Sequence, residues 1–76
     1  MAPTELDGLV HRLIPTVLAD RDLGDGRTFT ALHLRNIWAL SCLHAERCYD
    51  EDIITASVMR HLPAHVLMAQ APKSRN

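Results

Sequence analysis

Leu6, Leu9, Val10, Leu13, Ile14, Val17 and Leu18 follow one another at alternating steps of three and one, which draws a single apolar stripe along a helix. Thr4 stands where an N-cap would, with Asp7 at the capping-box position. Pro15 lies inside the stripe and removes one backbone hydrogen bond, so the pattern predicts one kinked helix or two abutting turns. The run Asp20 to Arg27 carries turn chemistry, with Gly24 as the expected left-handed residue closing the helix and Asp25-Gly26 extending the loop.

Thr28 to Tyr49, free of Gly and Pro, reads as one long helix started by Thr28 or Thr30. With Thr30 as the cap, Phe29 and Leu34 are placed to form a hydrophobic staple across it. At about 100° per residue its apolar side chains fall on two faces. Leu34, Ile37, Trp38, Cys42, Ala45, Cys48 and Tyr49 form one arc, and Phe29, Leu32, Ala39, Leu40 and Leu43 form the other. His33 and His44 line one of the narrow polar strips between them, and Arg35 and Glu46 line the other. A surface helix needs only one buried stripe of roughly 100°. The pattern therefore predicts a central helix buried on two sides, one side covered by its own chain and the other by a second copy or a different protein.

Three acids, Asp50-Glu51-Asp52, suit the positive N-terminus of a third helix with Asp50 as its cap. Ile54, Val58 and Leu62 share one line of that helix, flanked by Ile53, Met59 and Val66. Pro63 interrupts the pattern and either kinks the helix or opens a short fourth one over 63–70. The expected fold is all-α: a small bundle of three to four helices forming a single domain over 1–76, with flexible ends at 1–3 and 73–76.

Length strengthens the case for association. A chain of 76 residues buries only about 60% of the surface it exposes unfolded, which leaves a marginal core. Composition supplies no staple. Cys42 and Cys48 lie about 9 Å apart along a continuous helix, too far for a disulfide, so both are read as free thiols of a reducing compartment. With no secretion signal pattern and no apolar run near the ~18 residues of a membrane span, the chain is expected to be cytoplasmic and independent of membranes.

Charge is divided along the chain. Residues 1–52 hold all nine acids and five arginines, and residues 53–76 hold no acid but carry Arg60, Lys73 and Arg75. With His61 and His65, these three form a candidate surface for nucleic acid or another anionic partner. A recognition helix, however, needs side chains that reach base edges, and Val66-Leu67-Met68-Ala69 offers almost none.

The spacing H-x3-C-x12-H-x3-H, formed by His44, Cys48, His61 and His65, places four nitrogen or sulfur donors of the kind zinc takes. It lacks the paired short-spaced cysteines of a finger signature, so zinc is an alternative and no cofactor is the primary expectation. Enzymatic chemistry has less support: Ser41 and Ser57 sit mid-helix without a glycine elbow, and no phosphate-cradling loop is present. The sequence is best read as a non-enzymatic protein–protein interaction module, a small regulator or inhibitor that binds a surface of a larger protein and forms a homodimer. Its candidate contact residues are Trp38, Tyr49 and Arg35, because aromatics and arginine dominate interface energetics. A small dimeric DNA-binding regulator and a zinc-stabilised helical module are the alternatives.

Overall fold

The computed structural model describes residues 3–68. They form α1 (Pro3–Leu18), β1 (Thr28–Phe29), α2 (Ala31–Ala45), α3 (Glu51–His61) and β2 (Leu67–Met68). The protein is mostly helical, with three helices packed together. The two short strands pair in parallel, Thr28 with Leu67 and Phe29 with Met68. α1 packs against both α2 and α3, and more extensively than those two pack on each other.

α1 follows its stripe. Leu6, Leu9, Val10, Leu13, Ile14 and Val17 are all buried and form the larger part of the core, joined by Phe29, Ile37, Ile54, Val58 and Val66. The helix begins at Pro3, one residue before the expected Thr4 cap. It runs through Pro15, whose side chain is exposed, and the bond from Ala19 N–H to the Pro15 carbonyl at 3.0 Å continues the last turn. The left-handed residue of the following loop is Gly26, at φ 85°, and not Gly24 as expected. A Cβ at Gly26 would also meet the Leu18 carbonyl oxygen at 3.2 Å.

Of its two expected starts the central helix takes Thr30, and it ends earlier than the pattern predicts. Thr28 and Phe29 are taken by the strand pair, so α2 opens with Thr30 as its N-cap. At the other end Glu46 adopts a left-handed conformation, φ 56° and ψ 39°. Its N–H donates to the Leu43 carbonyl at 3.3 Å and the Arg47 N–H donates to the Cys42 carbonyl at 3.1 Å. This is the paired 6→1 and 5→2 pattern of a Schellman ending, usually built on glycine. With glutamate in that place, no composition signal marks the stop.

Burial of α2 also departs from the expectation. Its fully buried line is His33, Ile37 and Ser41, spaced four apart, and two of the three come from outside the predicted apolar arcs. In the single chain one side of α2 faces the core. The opposite arc is open, with Leu32 52% and Leu43 72% exposed.

α3 starts at Asp50 as predicted, although the Asp50 side chain makes no capping bond. It buries Ile54, Ser57 and Val58. No fourth helix opens at Pro63. The chain turns there, with Val66 N–H donating to the Pro63 carbonyl at 3.0 Å, and enters β2; Ala69 and Gln70 lie outside the described residues. The termini expected to be flexible lie outside them too, except Pro3, which is helical. Among the described residues no helix is long and apolar enough to cross a membrane.

Candidate interaction surface

α2 carries aliphatic side chains on its open face. Leu32, Ala39 and Leu43 are all exposed, and at 100° per residue they fall within about 20° of one line down the helix. Leu32 and Leu43 mark its ends, three turns apart, and Arg35, also exposed, flanks it. On α3 a second exposed row, Ile53, Ala56 and Met59, rises at three-residue steps. Leu32 and Leu43 on α2, and Ile53 and Met59 on α3, are the large hydrophobic side chains left exposed among the described residues.

Trp38 and Tyr49, the aromatic candidates, are half-buried and packed against the core. The chain beyond α2 folds back over them: Trp38 Nε1–H donates to the Tyr49 carbonyl at 2.7 Å, and Tyr49 N–H donates to Cys42 Sγ at 3.2 Å. The Arg47 guanidinium stands 5.3 Å from the centre of the Tyr49 ring, a cation–π distance. Trp38 and Tyr49 thus help hold the α2–α3 connection, while Arg35 stands in solvent beside the leucine line. Leu32 and Leu43 were legible as members of an apolar arc, but the sequence did not rank them above the aromatics.

The basic candidates are separated. Arg60 donates from a guanidinium nitrogen to Asp7 Oδ1 at 2.7 Å, and the buried Ser57 hydroxyl donates to the same oxygen at 2.6 Å. These bonds, the serine's first and the arginine's second, hold the Asp7 carboxyl below its ordinary value. Arg60 therefore faces an acid of its own chain and joins α3 to α1. Lys73 and Arg75 lie outside the described residues. Asp7 and Ser57 are fifty residues apart, and nothing in the sequence signals their meeting.

His61 and His65 line a cavity of about 440 Å³ together with His11, Ile14, Pro15, Leu18 and Pro63. His11 and His61 meet edge to face, with ring centres 5.7 Å apart. His61 Nδ1 lies 2.8 Å from the Ser57 carbonyl oxygen, which can only accept, so that nitrogen carries a proton. His11 stands outside the α1 stripe, so local spacing gives no sign of this meeting. The zinc constellation does not assemble. His44 is exposed in the last turn of α2, and the left-handed Glu46 ends that helix before Cys48, so the expected i, i+4 pair is not on one helix. Among the described residues no three His, Cys, Asp or Glu side chains are placed to hold a metal ion. Cys42 and Cys48 are free thiols.

One further polar group is fully enclosed. His33 lies at the third position of α2 and completes a capping box with Thr30, in the place usually held by Glu or Gln. Its ring stacks on Phe29 at 5.3 Å, and Gly24 leaves room for it, since a Cβ there would stand 2.9 Å from His33 Cε1.

Comparison with protein-family models, curated proteins and solved structures finds no match to this chain.

Proposed function

We propose that this chain is a non-enzymatic interaction module of the cytoplasm, a small regulator or inhibitor that occupies a surface on a larger protein and pairs with a second copy through α2. The observation that carries this reading is the open line Leu32–Ala39–Leu43, which leaves two large leucines more than half exposed on one helix face. A twofold axis crossing that helix would bring the same patch of each copy together. Leu32 of one copy would then meet Leu43 of the other, and Arg35 would lie at the rim. Desolvated leucines would supply most of the binding energy, with the arginine contributing to orientation.

The test is the mass in solution of the wild type and of a Leu32→Lys/Leu43→Lys double variant, measured by sedimentation or light scattering across a concentration series. The wild type is expected to run as a dimer and the variant as a monomer. Because both side chains are exposed in the single chain, the variant's intrinsic folding free energy should change by less than about 0.5 kcal/mol per site. A wild type that remains monomeric at millimolar concentration rejects the pairing. A variant that still pairs moves the interface off α2.

A further inference from the structure

We propose that His33 is an acid-operated latch: its neutral ring closes the first turn of α2, and gaining a proton opens that turn. The geometry fixes the ring's chemistry. His33 Nδ1 lies 2.8 Å from the Thr30 backbone N–H, which can only donate, so Nδ1 is the acceptor and the single ring proton sits on Nε2. Nε2 is buried and has no hydrogen-bond partner. A second proton has no good place to go. On Nδ1 it would oppose the Thr30 N–H, donor against donor.

The ring could turn its new proton toward the Thr30 hydroxyl, 2.9 Å away. That oxygen already accepts from the His33 N–H at 3.3 Å and lies 3.4 Å from the Leu23 carbonyl. Even so, the Thr30 N–H, in a half-buried turn, would lose its acceptor on the ring. The positive charge would sit between the Phe29 ring and Gly24 with no counter-charge in contact. Asp20 and Asp25, in the loop before β1, are the charged groups that favour the protonated ring, but burial outweighs them and lowers its proton affinity.

The sign follows from linkage. A histidine whose folded value lies below its ordinary 6.5 leaves the unfolded turn binding more protons than the folded one. The latch is complete above about pH 6.5 and weakens as the pH falls from there toward the folded value. Leu32 belongs to the same first turn, so acid would also remove one end of the leucine line. That last consequence alone rests on the docking reading above.

The experiment reads the first turn directly and needs no partner. In the wild type, nitrogen shifts of the His33 ring should place the proton on Nε2 at pH 7.5. The protection factor of the Thr30 amide, corrected for intrinsic exchange, should fall by up to about tenfold per pH unit below pH 6.5. His33→Gln restores an ordinary capping box whose side-chain oxygen accepts from Thr30 at any pH. It retains His11, His44, His61 and His65, and its Thr30 protection should stay flat from pH 7.5 to 5. A proton on Nδ1 at neutral pH, or wild-type Thr30 protection that does not change over that range, overturns the latch, and both are read on the wild type alone. An equal loss in wild type and His33→Gln also overturns it, by assigning the response to another group.

Discussion

α1 and α2 are almost the same length, 16 and 15 residues, and meet face to face, yet they contribute in opposite ways. α1 buries six aliphatic side chains on one stripe. α2 buries an isoleucine between a histidine and a serine, and both polar side chains keep an atom without a partner, His33 Nε2 and Ser41 Oγ. Its leucines Leu32 and Leu43 point outward. A helix that places polar groups inside and aliphatic groups outside adds less to the stability of the single chain than one with a single apolar stripe inside. The difference teaches that total apolar content does not locate a core: a single periodic stripe does, and the apolar excess on a second face stays outside it.

The largest effect that would break this contrast is in α1. Ile14, 1% exposed, should cost 2–5 kcal/mol on replacement by alanine, as aliphatic truncations in a packed core do, on the order of a third of a small domain's stability or more. A urea melt showing a loss under about 1 kcal/mol would mean α1 is not the stabilising half. In α2 the sign reverses. Ser41→Ala removes a buried hydroxyl that has no partner and should raise stability by about 1 kcal/mol; a loss in the same melt would show that the hydroxyl is satisfied after all.

Glu46→Gly comes next. A non-glycine residue in the left-handed region costs about 1 kcal/mol, and glycine there should recover part of it, seen as a small rise in melting temperature with the α2 ending unchanged. The last effect changes only in acid and lies in the tie between α1 and α3. Because the Ser57 hydroxyl and Arg60 hold the Asp7 carboxyl below 3.8, the stability they contribute is intact above about pH 3.8 and is lost as pH falls through the lower folded value. The stability difference between wild type and Asp7→Asn should therefore narrow as pH falls below 3.8. A difference that stays constant down to pH 2.5 would remove Asp7 from the acid response.

How much of this was legible depended on whether the signal was local. The α1 stripe, the Thr30 and Asp50 starts and the third helix are written in spacings of three and four and in capping residues, and the structure has them. The end of α2 was not legible, because the left-handed position is held by Glu46, and nothing about glutamate announces a stop. Nor is the burial of His33 legible: it lies on the narrow polar strip between the two apolar arcs, and only its capping-box spacing from Thr30 hints at an inward role. Pro63 is compatible in sequence with a kink or with a fourth helix, but the chain turns there toward β2, whose pairing with Thr28 and Phe29 is not written in local spacing. Asp7 with Ser57, and His11 with His61, are tertiary meetings across the bundle with no trace in local spacing.

The parallel pairing of Thr28–Phe29 with Leu67–Met68 has a kinetic consequence. Two such short strands, separated by the whole of α2 and α3, have no turn to hold them in register, and loop-closure entropy opposes their meeting until both helices are docked. The pairing is thus expected to assemble last and to release first, so a probe attached near Phe29 would report completion of the topology rather than its onset.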